Sequence, residues 1–377
     1  MFLKVLLILA ASAAIWWVIR WIWVVLRAVG ALGYLSSESS GRLNRILYHI
    51  EACTEYYESE SHGSLPYTQY RPIAKEIAPA IILYHGATPY GEEHPALVQL
   101  ARALAHTGLI VFVPQLPQLK AVIIDETSAD SMREFYEYIQ GHPRISPGRI
   151  SLAGTSFAGG IMLKAMLKES MHRPPPQAVM TYGTYCDLEL TLRFVLTGKV
   201  KTEEYEIAVE PDRWGQVIFF YNYLEHIPGD FSRAAVRSVL EYYIQDRVEE
   251  GNAAKDELSS VDRNIADLIL TPGNQESATL ADMVLEHAKP ILDALSPSRF
   301  HQEIHFPIWV LHGRDDRMVP YTEAVAMKRL MPRWAHLHIT GLYAHRDYGA
   351  GSNIFKTIWN TFTLVIYFAR FLRAVEG

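Results

Sequence analysis

A serine flanked by small residues stands in Gly154-Thr155-Ser156-Phe157-Ala158-Gly159-Gly160, directly after the apolar run Ile150 to Ala153. A chain that turns from strand to helix within one turn needs small residues two before and two after the serine. Here these are Gly154 and Ala158, and the reversal leaves the Ser156 hydroxyl exposed in a strained conformation. Ala158 stands where the G-x-S-x-G pattern has glycine, which keeps the position small. A hydroxyl so placed is a nucleophile for acyl transfer once a base removes its proton. The same spacing also suits a plain junction in which Ser156 caps the helix. A second apolar run, Ala80 to Tyr84, leads into His85-Gly86-Ala87-Thr88. The backbone N–H of Ala87 and that of Phe157, at the start of the following helix, supply two donors for an oxyanion developing on an attacked carbonyl.

Fifteen histidines compete for the role of base. His336 and His338 share one face of a strand-like run, which suits packing or hydrogen bonding. His345 lies in the loop Gly341 to Gly349 directly beyond that run, where an imidazole reaches over the strand ends, and it is the expected base. A carboxylate must hold that imidazole in one tautomer. After the run Pro307 to Leu311 comes His312-Gly313-Arg314-Asp315-Asp316-Arg317-Met318-Val319-Pro320. Either aspartate can serve; turn geometry favours Asp316, with Asp315 as a surface carboxylate. Asp187, shortly after the run ending at Tyr182, is a third candidate.

These groups need a frame. Strand-like runs at 80–84, 109–113, 150–153, 178–182, 307–311 and 336–340 alternate with helical patterns at 95–106, 128–140, 157–168 and 321–331. The alternation predicts an α/β chain whose mostly parallel sheet is covered by helices on both faces. Functional groups in such sheets gather beyond the carboxyl ends of the strands, and each motif above follows a strand.

The order of nucleophile, acid and histidine over residues 66–373 resembles the α/β-hydrolase superfamily. Tyr67-Thr68-Gln69-Tyr70-Arg71-Pro72 resembles the early strand that leads toward the His-Gly turn. An acid three residues beyond a glycine and before Val-Pro is usual there, which carries onto Gly313, Asp316 and Val319-Pro320. The serine at the elbow argues against the haloalkane dehalogenases and epoxide hydrolases of the same fold, which use aspartate at that place. The resemblance implies a serine hydrolase without cofactor, esterase or lipase-like, that cleaves a small-molecule or lipid ester through an acyl-enzyme at Ser156. Thioesterase, peptidase and acyltransferase chemistry use the same triad. A membrane-tethered scaffold of this fold without turnover is the rival from another class.

About 120 residues separate Tyr185 from Phe306, with helical patterns at Trp214 to Glu225, Arg233 to Glu249 and Thr279 to Lys289. Pro290 should stop the last of these, and Thr271-Pro272-Gly273-Asn274 marks a break. This segment reads as a helical cap over the active site, inserted before the acid-bearing strand. Trp214, Phe219, Phe220, Tyr221 and Tyr223 then shape an apolar pocket or form the cap's own core. The core divides accordingly into 66–184 and 306–377 around a cap at 185–305.

From Met1 to Ile19 the only charge is Lys4, and Trp16, Trp17, Arg20, Trp21, Trp23 and Arg27 follow. Such a run fits a membrane anchor at 1–35 with an interfacial belt, ahead of a linker and lead-in at 36–65 that opens with the polar stretch Ser36 to Gly41. A cleaved signal peptide with small residues at Ala11-Ser12-Ala13, a helix lying in the interface, or a buried helix of a soluble protein are the alternatives. Arg20, Arg27, Arg42 and Arg45 outnumber Lys4, which favours a cytoplasmic catalytic domain. The apolar segment Ile354 to Leu372 reads as the last helix on the sheet, or as a second membrane contact. With 377 residues, 49% hydrophobic and 20% charged, the chain can bury a large core. A net charge of −6 without a Lys/Arg block excludes a nucleic-acid partner. Cys53 and Cys186 form neither a disulfide framework nor a four-thiolate zinc site, and without an H-E-x-x-H pattern no metal is expected.

Overall fold

A computed structural model describes residues 2–36, 48–201, 206–271, 275–342 and 354–377. His345, residues 272–274 of the expected break and residues 37–41 of the expected linker lie outside them. Helix α1 (Phe2–Ser36) precedes an antiparallel hairpin of β1 (Ile50–Ser59) and β2 (Gly63–Pro72). There follow β3 (Ala78–Tyr84), α2 (Pro95–His106), β4 (Ile110–Pro114), α3 (Pro117–Lys120), α4 (Thr127–Ile139), β5 (Ile145–Thr155), α5 (Phe157–Ala165) and β6 (Val179–Tyr182). The next stretch carries α6 (Leu188–Thr197), a short hairpin of β7 (Lys199–Lys201) and β8 (Glu206–Ala208), and α7 (Arg213–Tyr223). Helices α8 (Arg233–Ile244), α9 (Val248–Asp256), α10 (Ser260–Leu270), α11 (Gln275–Leu295) and α12 (Pro297–Phe300) complete it. The chain ends with β9 (Ile308–Gly313), α13 (Thr322–Leu330), β10 (Ala335–Thr340) and α14 (Ile354–Glu376).

One eight-stranded sheet runs in the order β1-β2-β4-β3-β5-β6-β9-β10. From β4 to β10 all neighbours are parallel, while β2 is antiparallel to both β1 and β4. The chain leaves β3 for β4 on one side and returns to β5 on the other. This reversal opens a crevice beyond the carboxyl ends of β3 and β5, the usual ligand position in such sheets.

Alternating side chains send each strand to two cores. Ile82, Tyr84, Phe112 and Leu152 face α4, α5 and the inserted helices, packing with Phe135, Ile161 and Phe219. Ile81, Leu83, Val111, Ala153 and Trp309 face the other way, against α1, α2 and α14. The expected stop at Pro290 is not realised: α11 runs through it to Leu295. Pro290 lies on the solvent face, where water can satisfy the carbonyl it leaves unpaired. Val284, Leu285, Ala288, Leu292 and Leu295 stay buried on the opposite face and hold the helix in register.

Helix α1 changes character along its length. Residues 11–20 are all exposed, whereas Val24, Arg27, Ala28 and Ala31 are buried against the body of the protein. Within the described residues, Ala11–Ser36 is the one segment long and apolar enough to cross a membrane.

Candidate active site

Ser156 lies between the end of β5 and the start of α5, with φ 52° and ψ −130°. A positive φ costs a side-chain-bearing residue of order 1–3 kcal/mol and persists only where its surroundings enforce it. Here the enforcement is close packing. A Cβ on Gly154 would lie 2.7 Å from the Gly159 Cα, and one on Gly159 would lie 1.9 Å from the Thr184 Oγ1. The Ser156 N–H donates to the Tyr182 carbonyl at 2.8 Å, and the Thr184 hydroxyl donates to the Ser156 carbonyl at 3.0 Å. Ala158 is fully buried at the start of α5, but the residue pressed against the neighbouring chain is Gly159. The doubled glycine at 159–160 was the available sign of that close approach.

The turn after β3 lies against this elbow. A Cβ on Gly86 would sit 3.0 Å from the Ser156 Cβ and 3.3 Å from the Thr155 carbonyl oxygen, so a larger residue would press the two strand ends apart by a few tenths of an ångström. Ala87 follows in that turn and lines one cavity of about 350 Å³ together with His85, Thr155 and Ser156. Phe157 is buried one residue into α5. His85 braces the turn, a role beyond its place in the His-Gly pair. Its Nδ1 donates to the Gly86 carbonyl at 2.8 Å, and its Nε2 accepts from the Leu116 N–H at 3.0 Å. Burial pushes its pKa down to about 4, so at neutral pH the ring is uncharged and has one donor and one acceptor, as both bonds require.

Asp316 follows β9 and is buried, whereas Asp315 beside it is exposed. Its Oδ1 accepts from the N–H groups of Met318 and Val319 at 2.8 and 2.9 Å, and its Oδ2 lies 3.5 Å from the Nε2 of the buried His312. Asp187 is engaged elsewhere: it caps α6 by accepting from the Leu190 N–H at 3.1 Å and accepts from the Ser298 hydroxyl at 2.9 Å. His336 stacks near Trp309 and His338 near Tyr367, with ring centres 4.9 and 5.0 Å apart. His338, half-buried, thus packs between the sheet and α14, whereas His336 is exposed beside the neighbouring strand. Among the described residues no cluster of side chains could hold a metal ion.

No protein-family model and no curated protein matches the sequence. Solved structures do. Uncomplexed acylaminoacyl peptidase of Pyrococcus horikoshii superposes with a TM-score of 0.50 at 14% identity, over 90% of this chain and 44% of that one. The fold is that of the α/β hydrolases. Carboxyl esterase 2 of Tuber melanosporum (TM-score 0.48, 12% identity, 90% of this chain and 88% of that one) is also similar. So is esterase Est22 (0.49, 13%, 87% and 82%). The chain spans less than half the length of the acylaminoacyl peptidase.

Proposed function

We propose that the protein is a serine hydrolase that cleaves a carboxylic ester of a hydrophobic acid at a membrane surface, where α1 attaches it. The observation that carries the reading is the strained Ser156 at the strand-helix junction, with a glycine turn packed against it and a cavity in front. In this mechanism His345, oriented by Asp316, takes the Ser156 proton as Oγ bonds to the ester carbonyl carbon. The N–H groups of Ala87 and Phe157 donate to the oxyanion. Collapse breaks the bond to the leaving alcohol, which departs with the proton from His345. Water then loses a proton to His345, attacks the acyl-enzyme and releases the acid, and the proton returns to Ser156.

Chain geometry supports the assignment of acid and base. β9 and β10 leave the sheet side by side, with Gly313 paired to Thr340, and the Arg314 N–H donates to the Thr340 carbonyl at 2.7 Å. Asp316 lies three residues beyond one strand and His345 five residues beyond the other. The exit of β10 is three strand spacings, about 14 Å, from that of β5, a gap that a five-residue extension of up to about 17 Å can cover. The inserted helices act as a cap: Trp214 of α7 and Met318 line the same cavity as Ser156.

Labelling with a fluorophosphonate tests the reading. Wild-type protein should react, Ser156→Ala should not, and Asp316→Asn should react about 10²–10⁴-fold more slowly while Asp315→Asn reacts normally. Labelling that persists in Ser156→Ala overturns it.

A further inference from the structure

The cavity at Ser156 does not end at the strand tips. It continues down the α1/α2/α14 face of the sheet, lined there by Ile81 and Leu83 of β3 and closed by Leu35 of α1, Leu100 of α2 and Phe368 of α14. From His85 to Ile81 the lining follows β3 for four residues, about 13 Å. Its polar groups, His85, Thr88, His94, Thr155, Ser156 and Tyr182, gather at the rim, and the far end is walled by aliphatic and aromatic side chains. A ligand matched to such a cavity carries a reacting carbonyl at one end and a bare hydrocarbon at the other.

Resting on the serine-hydrolase reading, we infer that this channel is the acyl slot, that its occupant is a single fatty acyl chain, and that α1 is a wall of it. The buried half of α1 is held for that purpose at both ends. Near the amino ends of the strands, Arg27 donates to the Thr107 carbonyl at 2.8 Å and pairs with Glu376 of α14. Near the active-site rim, Gln99 of α2 donates to the carbonyls of Tyr34 and Leu35 at 3.3 Å. Leu32 and Leu35 are thereby held in the channel lining together with Leu97 and Leu100 of α2. The segment that attaches the protein to a membrane thus also measures the substrate, and Leu35 and Leu100 are specificity-determining residues.

Full-length protein in phosphatidylcholine nanodiscs, assayed with p-nitrophenyl acetate and decanoate, tests this. In the wild type kcat/KM should favour decanoate at least tenfold. Leu35→Trp and Leu100→Trp, which fill the channel from two different helices, should each lower that ratio at least tenfold. A wild type that prefers acetate, or a ratio within twofold of wild type in both variants, overturns the slot. Equilibrium binding of decanoic acid to Ser156→Ala, followed by titration calorimetry, gives a readout without turnover. Binding that is lost when Leu35→Trp is added supports the slot, and absent or unchanged binding overturns it. Chain binding without Ser156 labelling would sink the hydrolase reading alone, and labelling without any chain-length preference would sink the slot alone.

Discussion

Burial keeps His85 uncharged, and an uncharged imidazole can donate from Nδ1 while accepting at Nε2. Both bonds hold the turn that carries Ala87, so His85 is a positioning residue for the proposed oxyanion donors. His85→Leu keeps much of the volume but strands the Leu116 N–H and the Gly86 carbonyl. It should cost about 2–4 kcal/mol and slow Ser156 labelling at least tenfold, measured by urea unfolding and labelling kinetics. The native pKa near 4 lies below the ordinary 6.5, so between these values only the unfolded chain binds the proton. Wild-type stability should therefore fall as the pH drops from about 6.5 to 4, by up to about 3 kcal/mol. His85→Leu should lack that component. Equal pH slopes would show that His85 is not the group responsible. At this scale Ser156 and Ala87 could be read from the sequence, because the elbow and the His-Gly turn are contiguous motifs. The brace formed by His85 could not, because its partner Leu116 follows another strand and no local pattern joins them.

Helix α13 is tied to the loop after β6 by a single buried carboxylate. Glu323 in its first turn accepts from the N–H groups of Cys186 and Asp187 at 2.9 and 2.7 Å, and burial pushes its pKa up to about 7. The sign is opposite to that of His85: the native state holds a proton that the unfolded chain has released above pH 4.5. The contribution of Glu323 to stability is therefore greatest below that pH and declines as the pH rises to 7. Glu323→Gln, whose amide oxygen still accepts both bonds, should flatten this decline. Its stability relative to wild type should increase from pH 5 to pH 8, as read from urea midpoints. A constant difference across that range would refute the assignment. The elements themselves were mostly legible. Apolar runs marked β3, β4, β5, β6 and β9 because both their faces are buried, and β1 escaped the same rule. Its residues, Ile50-Glu51-Ala52-Cys53-Thr54-Glu55-Tyr56-Tyr57-Glu58-Ser59, lie on an edge strand that is largely exposed, so no apolar run marks it. The continuation of α11 through Pro290 was hidden for a related reason: a proline's effect depends on which face of the helix it occupies, and that face is set by packing partners far away in sequence.

Across the whole molecule, α1 has two parts that composition alone merges into one. Its apolar run reads as an anchor throughout, yet the helix separates into an exposed part and a part built into the helical layer over the sheet. Arg373 of α14 lies over Trp17 and Trp21, with distances of 5.5 and 5.9 Å to the ring centres, so the contact with the body begins there. The distinction was not legible in the sequence because small residues such as Ala28 and Ala31 serve equally in a lipid-facing helix and in a close helix contact. Removing residues 2–15 should weaken membrane attachment while moving the thermal midpoint by no more than about 2 °C, since residues 11–15 are exposed and precede this contact. Removing residues 2–36 also strips Val24, Ala28 and Ala31 from their core and leaves Glu376 without Arg27. Lost apolar burial and the lost pair together exceed about 3 kcal/mol, which at this size lowers the midpoint by at least about 4 °C or drives aggregation. Differential scanning fluorimetry with vesicle flotation separates the two effects. Equal midpoints for the two truncations would make α1 a tether alone and would remove it from the fold.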